Sequence, residues 1–504
     1  MSGHAPVERA GEEILAEALR RARLDLVVGV AGRPLTRVLE SLVGSGGARW
    51  ANHEAVALAL ALGVAGSGGR SAVLMKQVGL NAGLDVLACA GPHRSGGAMV
   101  VIVGDDPGGV YSQIEGDSRL LAQYAEVPCF DVAGGEDLPG ALGEALALSA
   151  RLRVPAVVRV TTQMMMEPPA AASPVPFDGA CAGRPFDPAP TWSTDPLGHR
   201  RALLADLHAL PEEGASLRRR GEGPIRVVAS GEPGARVLAE TGLELLLVRR
   251  VVPAPRRSLA DFLVVGAGPV LVLEDGRTLL EDEARSHLPS VQVLRRRSGH
   301  VLWAGPVDVA ASIEAAVRGE PREEPRPGPA GADALADLGD YGSLFEDAAA
   351  LGLAPVAVDA GNSWGAAYLP GHVARFSYGL GSAVAVAAGL ALARGGPAVA
   401  AIGDFGVYHA GILGLLQVAR DRVPVITVIA DNGTAAYTGG QPHPGSDAGP
   451  GERVVPLDGL VRGAGIDLVE RLGKAEATSD ILRPLLRRLA GAAAPSALII
   501  DARP

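Results

Sequence analysis

The sequence predicts an α/β protein with three doubly wound domains, each built on a mostly parallel sheet with helices on both faces. Two segments rich in Pro, Ala and Gly, 167–192 and 320–333, lack an apolar period and divide the 504-residue chain into blocks 1–166, 193–319 and 334–504. Within each block, short runs rich in Val and Ile alternate with longer amphipathic segments. Apolar strands that alternate with helices are typical of parallel sheets buried on both faces.

The predicted strands can be followed in order along the chain. The first block contains LDLVVGV, SAVLMK, AMVVIVGD and PAVVRVTT, the second IRVVAS, LLLVRRVV and PVLVLED, and the third PVAVDAG, AVAAIGD, PVITVIAD and SALIIDA. Ligands of such sheets lie beyond the carboxyl ends of the strands. Several of these strands end in acidic or small residues, so we expect the site at that edge.

Composition and charge argue against several classes of protein. The formal charge is −10 at pH 7 and there is no run of five basic residues, which argues against a nucleic-acid or membrane partner. The N-terminus lacks the apolar core of a secretory signal, and the apolar run at 382–393 is too short to span a bilayer. Cys89, Cys129 and Cys181 form no C-x-x-C pair, so no iron–sulfur cluster is expected in this chain. We expect a cytoplasmic protein that acts on a small molecule.

Two oxygen-rich turns flank one predicted helix in the third block. The strand AVAAI leads to Gly403 and Asp404, a helix follows, and the strand PVITVIA leads to Asn432 and Thr434. A right-handed crossover brings these strand ends together, so the Asp404 carboxylate, the Asn432 amide oxygen and a backbone carbonyl near Thr434 can share one hard cation. Open coordination positions suit Mg²⁺ bound to phosphate oxygens. The alternative is a structural βαβ unit with turn-forming Asp and Asn-Gly.

The spacing favours the metal site. Asp404 and Asn432 are 28 residues apart, which resembles the thiamine diphosphate (ThDP) motif, where Gly-Asp and an Asn-containing turn have a similar separation. The commonest form of that motif has a glycine where this chain has Phe405, and Gly406 then provides the close backbone approach. The resemblance implies ThDP and Mg²⁺ as cofactors, with Asp404, Asn432 and Thr434 at the metal. The expected cofactor-binding positions are Gly403, Asp404, Phe405, Gly406, Asn432, Thr434 and Gln441 in this block and Glu54 in the first.

ThDP chemistry requires a second, independent residue. The thiazolium C2 loses its proton only when a glutamate hydrogen-bonds N1′ of the aminopyrimidine and thereby activates the 4′-amino group as a base. Glu54 opens an apolar helical segment, where a carboxylate without a partner is costly to bury. The alternative is a glutamate stabilised at a helix N-terminus by the helix dipole.

Three long stretches make the resemblance specific. They are WANHEAVALALALGVAGSGGRSAVLMKQVGLN from Trp50 to Asn81, VIVGDDPGGVYSQIEGDSRLLAQYAEVPCFD, and DNGTAAYTGGQPHPG near the C-terminus. They resemble the ThDP-carrying α subunit of the indolepyruvate ferredoxin oxidoreductase family, over nearly the whole chain. The resemblance implies a pyrimidine-binding domain, a transketolase C-terminal-like middle domain without chemistry, and a diphosphate-binding domain.

The same resemblance assigns roles to individual residues. It implies that Glu54 activates the cofactor, that Asp404 and Asn432 hold the metal, and that Gln441 and His443 line the site. Because pyrimidine-binding and diphosphate-binding domains of this family meet across a subunit boundary, it also implies a homodimer with two shared active sites.

Three departures from the family bear on the reaction. The chain ends at SALIIDARP without a ferredoxin-like domain, and the family's Cys-Pro-x-Cys-Pro-His segment reads LGDYGSLFEDAAA, from Leu338 to Ala350. We therefore expect no electron relay within this chain. Gln77 replaces a family histidine; it remains a candidate catalytic residue because it can position a carbonyl oxygen, but it cannot relay a proton at neutral pH. The candidates for proton transfer are then His53, His443, His409 or water, and for His53 packing or capping is the alternative.

Further residues are candidates for the substrate site or for its closure. Arg33, Lys76, Asn81 and His53 are candidate substrate contacts; the alternatives are an exposed loop position for Arg33 and a surface or ion-pair role for Lys76. Lys76 draws notice because only two of the 46 basic residues are lysines. An arylpyruvate pocket, or else core packing, is predicted for Tyr111, Trp364, Tyr408 and Tyr437. A dimer-interface ion network, or else a closing loop, is predicted for Asp105, Asp106, Gln113, Glu115, Asp117 and Arg119.

Two reactions are compatible with these residues. The first is non-oxidative decarboxylation or carboligation of a 2-oxo acid through a C2-enamine, and it follows from the intact cofactor residues and the expected lack of an electron relay. The alternative is a ThDP subunit of an indolepyruvate or 2-oxoacid:ferredoxin oxidoreductase whose clusters lie on a separate redox subunit. A non-enzymatic scaffold is disfavoured because the metal and activator positions are all filled.

Overall fold

The computed structural model describes most of the chain in two compact units, Met1–Pro327 and Gly328–Pro504. The described residues are 11–93, 96–109, 112, 114–166, 196–265, 268–287, 292–295, 298, 300–303, 307–321, 338–361, 363, 365–366, 369, 373–375, 378–446 and 453–503. The Pro-rich segments, apart from residues 320 and 321, lie outside these ranges. The division into three domains stays a prediction.

The first unit begins with a seven-stranded sheet flanked by helices. Its strands from the first block are β1 Leu26–Gly29, β2 Arg49–Trp50, β3 Arg70–Lys76, β4 Ala98–Asp105, β5 Cys129–Asp131 and β6 Ala156–Thr161. The helices are α1 Gly11–Arg21, α2 Thr36–Gly44, α3 Glu54–Gly66, α4 Gln77–His93, α5 Ser118–Tyr124, α6 Leu138–Leu152 and α7 Thr162–Met166. These six strands pair in parallel, in the order β5-β6-β4-β3-β1-β2. Strand β4 is buried along its whole length, as its unbroken apolar sequence predicts.

A five-stranded sheet follows in the same unit. Its strands and those nearby are β7 Ser216–Arg219, β8 Arg226–Ser230, β9 Glu244–Val248, β10 Arg250–Val252, β11 Val270–Leu273, β12 Val293–Leu294, β13 Leu302–Trp303 and β14 Val307–Asp308. The helices are α8 Pro196–His208, α9 Gly231–Glu240, α10 Arg256–Val264, α11 Leu279–His287 and α12 Val309–Arg318. The sheet order is β12-β11-β8-β9-β7, with β7 antiparallel to β9.

One predicted strand is divided between the two sheets. The run LLLVRRVV breaks at Arg249 into β9, in the second sheet, and β10, which pairs antiparallel with β5 of the first. The Arg249 carbonyl accepts a hydrogen bond from the Asp131 amide. The Arg249 guanidinium lies 3.4 Å from the Glu144 carboxylate. These contacts turn the chain from one sheet to the other, which an apolar run alone does not predict.

Buried ion pairs join the same two sheets. Arg119 on α5 pairs with Asp117 at 2.7 Å and with Glu274, beyond β11, at 2.9 Å. Arg159 on β6 pairs with Asp131 at 2.7 Å. Both arginine side chains are completely buried, so removing either guanidinium would leave buried carboxylates without their partner.

This network corrects the predicted dimer-interface role. Arg119 and Asp117 pair inside one chain, and Asp105 pairs with Arg159 at 2.6 Å. Burial nevertheless raises the pKa of Asp105 to about 6. Glu115 accepts a hydrogen bond from the Gly108 amide in the loop, and Gln113 lies outside the described residues.

The second unit is a six-stranded sheet that is parallel throughout. Its strands are β15 Val356–Val358, β16 Ala374–Arg375, β17 Ala398–Gly403, β18 Val425–Asp431, β19 Leu468–Gly473 and β20 Ser496–Asp501. Its helices are α13 Leu344–Ala350, α14 Ala383–Arg394, α15 Asp404–Gly406, α16 Ile412–Asp421, α17 Leu457–Gly463 and α18 Ser479–Gly491. The order is β16-β15-β17-β18-β20-β19, with an apolar core on each face. The predicted α/β fold with parallel sheets is confirmed.

A π-helix, Val407–Gly411, connects α15 to α16, so the chain is helical from Asp404 to Asp421. The start of this helix lies at the carboxyl edge of the sheet. In the described part of the chain, no helix combines the length and the apolarity needed to cross a membrane.

Candidate active site

The two predicted turns meet at one edge of the second unit. Strands β17 and β18 are parallel neighbours, with Gly403 opposite Ala430. The Gly433 amide donates to Asp404 Oδ2 at 2.7 Å, which places the turn after β18 directly against the start of the helix after β17. The crossover predicted from the sequence is therefore present.

Asp404 is held by three hydrogen-bond donors. Its side chain is 1% exposed. Oδ1 accepts from the Phe405 amide at 2.8 Å, whereas Oδ2 accepts from Gly433 and lies 3.1 Å from His443 Nε2. A carboxylate has about four acceptor positions, so these contacts orient the group and leave about one position for a cation.

The hydrogen bonds of His443 define its tautomer. The Gly445 amide donates to His443 Nδ1 at 3.0 Å, so Nδ1 carries no proton. In the neutral ring the proton is then on Nε2, which donates to Asp404 Oδ2. Both ring nitrogens are engaged, and this geometry favours an orienting role over the proton-transfer role predicted for His443.

Asn432 presents its amide between two partners. Its Nδ2 donates to Asp340 Oδ2 at 3.2 Å, and its Oδ1 accepts from the Thr434 amide at 3.2 Å. An amide oxygen has two lone pairs, so Oδ1 retains one for a further contact. Thr434 supports the turn through its amide.

These residues fit a metal-bound diphosphate. A carboxylate and an amide oxygen are hard ligands of the kind that Mg²⁺ prefers. The space above Gly403 is open, since a Cβ built there would meet no atom within 4 Å. A helix that begins at this position directs its amide groups and the positive end of its dipole toward that space.

The remaining predicted residues of this unit have varied environments. Phe405 packs 6.1 Å from the rings of both His409 and His443. Gln441 makes a hydrogen bond within its own loop, since its Nε2 donates to the Thr438 carbonyl at 3.0 Å. His409 is buried within the π-helix, a feature frequent at functional sites.

Gly406 also has a packing role, apart from the one predicted at the cofactor. A Cβ at this position would lie 2.4 Å from Asp359 Oδ2. The glycine therefore accommodates the buried Asp359 carboxylate, which accepts hydrogen bonds from the Gly381 amide at 2.8 and 2.9 Å. Burial raises the pKa of Asp359 to about 7, against these hydrogen bonds and the nearby His409, which lower it. The sequence reasoning missed Asp359.

Glu54 lies at the start of α3 in the first unit and is buried. Its carboxylate packs against Gly79 on α4, where a Cβ would come within 2.3 Å of Glu54 Oε1. His53 caps the helix, because its Nδ1 accepts from the Ala55 amide at 3.1 Å. His53 therefore has the capping contact that the sequence left as the alternative.

A chain of hydrogen bonds orients Gln77 on the first turn of α4. Ser112 Oγ donates to Asp106 Oδ2 at 2.7 Å and accepts from Gln77 Nε2 at 3.0 Å. The carboxylate accepts, so the direction of both bonds is fixed. Gln77 is fully buried, and its Oε1 has no hydrogen-bond partner among the described residues.

Lys76 ends β3 beside Gly32, at the carboxyl edge of the first sheet. Burial lowers its pKa to about 8, against the opposing effect of Asp106, and Arg33 lowers it further. Arg33 itself is exposed, and Asn81 is on the exposed face of α4.

Among the predicted aromatic residues that the structure describes, Tyr408 lies beside these groups, with its ring centroid 5.1 Å from that of His443. Tyr111 and Trp364 lie outside the described residues. Tyr408 packs in the core, with its hydroxyl donating to the Val455 carbonyl, whereas Tyr437 is exposed. Tyr408 therefore has both the core packing that was the alternative and a ring contact with a site residue.

Two family models match the two parts of the chain that carry these residues. Residues 9–122 match the N-terminal TPP binding domain of thiamine pyrophosphate enzymes, and residues 359–500 match the C-terminal TPP binding domain. Thiamine pyrophosphate is another name for ThDP. The chain belongs to the thiamine pyrophosphate enzymes.

Within that class, the chain is similar to indolepyruvate oxidoreductase subunit IorA. It is 28% identical to the protein of that name from Methanothermobacter marburgensis over 90% of this chain and 80% of that one. The corresponding protein of Archaeoglobus fulgidus is 24% identical over 91% of this chain and 80% of that one. A solved 2-oxoglutarate:ferredoxin oxidoreductase from Magnetococcus marinus matches with a TM-score of 0.45 and 15% identity, over 58% of this chain and 63% of that chain.

Proposed function

We propose that this chain is the ThDP-binding subunit of a 2-oxoacid oxidoreductase that takes an arylpyruvate and passes electrons to iron–sulfur clusters on partner chains. The carrying observation is the similarity to IorA proteins along 90% of the chain, together with the paired Asp404 and Asn432 turns. The comparisons favour this alternative over non-oxidative decarboxylation or carboligation, the first expectation from the sequence.

The second unit supplies the diphosphate and metal contacts in this proposal. When bound, ThDP supplies a nucleophilic C2 carbon and an electron sink for decarboxylation. Asp404 and Asn432 would hold Mg²⁺, and the helix that starts after Gly403 would receive the diphosphate. His443 would keep the Asp404 carboxylate oriented through its Nε2 proton.

The first unit supplies the activating carboxylate. Glu54 is buried at the start of α3, and Gly79 leaves room for its carboxylate. In this position it would hold the proton that it shares with the aminopyrimidine. A buried carboxylate is suited to this role because it has little competition from water.

Two polar groups at the end of β3 would select the substrate. Lys76, with Arg33 nearby, would pair with the carboxylate of the 2-oxo acid. Gln77 Oε1 is a buried acceptor whose direction is fixed by Ser112 and Asp106. It would accept a hydrogen bond from an N–H or O–H group of the ligand, because a buried acceptor is costly to leave without a donor and the described residues supply none.

The assembly is also part of the proposal. The IorA relatives are named as subunits, which supports a separate redox partner. A homodimer with shared sites is supported by the family resemblance of the sequence alone.

The fate of the electrons tests the proposed function. Purified chain with ThDP and Mg²⁺ is given indolepyruvate, phenylpyruvate and pyruvate, with and without an iron–sulfur partner and a viologen dye. We expect dye reduction matched to CO₂ release only when the partner is present, and no activity from Glu54→Gln. Catalytic release of CO₂ and aldehyde by the chain alone would overturn the oxidoreductase proposal in favour of the non-oxidative one.

A further inference from the structure

Three segments converge beyond the carboxyl end of β18 in the second unit. Asn432 is in the turn that follows this strand, Asp340 is in the 3₁₀ turn Leu338–Tyr341, and Lys474 follows β19. Asn432 Nδ2 donates to Asp340 Oδ2 at 3.2 Å, and Lys474 Nζ donates to Asp340 Oδ1 at 2.7 Å. Asp340 thus bridges the Asn432 amide and the Lys474 ammonium group.

The Asp340 carboxylate, together with the Thr434 amide that donates to Oδ1, determines which end of the Asn432 amide faces outward. An ionised carboxylate only accepts hydrogen bonds, so it selects Nδ2 and turns Oδ1 the other way. The oxygen and nitrogen ends of an amide have nearly the same shape, so packing alone would not distinguish them. Oδ1 is the atom that a hard cation needs.

Lys474 completes this arrangement. With Nζ on one oxygen and Asn432 on the other, both oxygens of Asp340 are occupied by donors. Asp340 therefore orients Asn432, and Lys474 pairs its negative charge. Lys474 is also one of only two lysines in the chain.

The backbone fixes the distance between these segments. Gly342 has φ +53°, and a Cβ there would come within 2.0 Å of the Ala477 carbonyl oxygen. The Ser343 amide donates to that same oxygen at 3.2 Å. The turn that carries Asp340 is therefore packed tightly on the turn that carries Lys474.

We infer that Asp340 and Lys474 are positioning residues that present Asn432 Oδ1 to the metal. This inference rests on the proposed function, because it assumes that Asn432 is a ligand. Partners behind a metal ligand commonly change metal affinity by about 10-fold to 100-fold when removed. The segment that contains Asp340 is also the one that departs from the family's cysteine motif.

The test is the Mg²⁺ dependence of ThDP binding to the full chain, measured by calorimetry without substrate. We expect Asp340→Ala to raise the half-saturating Mg²⁺ concentration about tenfold, with ThDP affinity restored at excess Mg²⁺. Lys474→Met should raise it by a smaller factor and Lys474→Arg should not. The matched control is Arg488→Met, which breaks the exposed pair with Glu470 at 2.7 Å in the same unit and should leave binding unchanged.

The outcomes separate the inference from the proposed function. Mg²⁺-dependent binding that is lost in Asp404→Ala but unchanged in Asp340→Ala would overturn the inference alone. A wild-type chain that binds no ThDP would overturn both. If Asp340→Ala does not fold, Lys474→Met decides, since its side chain is 45% exposed: a shift in Mg²⁺ dependence supports the inference and its absence overturns it.

Discussion

His443 donates from Nε2 to Asp404 Oδ2 at 3.1 Å while its Nδ1 accepts from the Gly445 amide. If this ring orients Asp404, His443→Gln should retain a donor and most of the ThDP affinity, whereas His443→Ala should weaken Mg²⁺-dependent binding about tenfold. The kcat pH profile of His443→Gln should match that of the wild type. An equal loss of kcat in both variants, with unchanged binding, would indicate proton transfer by His443 instead.

Glu54→Gln should separate cofactor activation from cofactor binding. The amide keeps the size of the carboxylate beside Gly79 but cannot stabilise the protonated aminopyrimidine. We expect exchange of the ThDP C2 proton in deuterated buffer, followed by NMR, to slow at least about a hundredfold, with ThDP still bound. Unchanged exchange would remove Glu54 from the mechanism.

Lys76 should impose a pH dependence on substrate binding. Its pKa is lowered to about 8, so the ammonium is present below that pH and is lost as the pH rises through it. We expect the KM for the 2-oxo acid to rise between pH 7 and 9 with kcat little changed. Lys76→Arg, which stays charged, should flatten this profile. A flat wild-type KM across the range would contradict a role of Lys76 in carboxylate binding.

Arg119 should be important for the stability of the first unit. Removing a guanidinium that is completely buried among carboxylates costs about 3–5 kcal/mol. We expect Arg119→Met to lower the free energy of unfolding by that amount in urea titrations. Arg200→Met, at an exposed pair with Glu126, is the control and should change it by less than about 1 kcal/mol. Similar losses of unfolding free energy in the two variants would mean that the buried ion pairs stabilise the protein no more than an exposed pair does.

The fold was predictable where a strand is a largely apolar, buried run. Strands β3, β4, β17 and β18 are such runs, and each was expected. Strand β19, LVERLG, was missed because it is a partly exposed edge strand with charged residues inside it. Such a strand lacks the unbroken apolar sequence of a central parallel strand.

The candidate site was predictable where polar residues come directly after the end of a strand. Asp404 and Asn432 come from adjacent parallel strands, so their proximity follows from topology. Asp340 contacts Asn432 across 92 residues, and no local pattern reveals such a contact. Lys474 could have been noticed in the sequence, because it is the second of only two lysines and the first, Lys76, drew attention for that reason.

We propose that the turns after β17 and β18 form the ThDP and Mg²⁺ site. The most direct measurement is calorimetric titration of ThDP into the wild-type chain and Asp404→Ala, each with Mg²⁺ and with EDTA. We expect one binding event per chain in the wild type, which requires Mg²⁺ and is abolished by Asp404→Ala. Binding that is equally tight in EDTA, or in the Asp404→Ala variant, would contradict it.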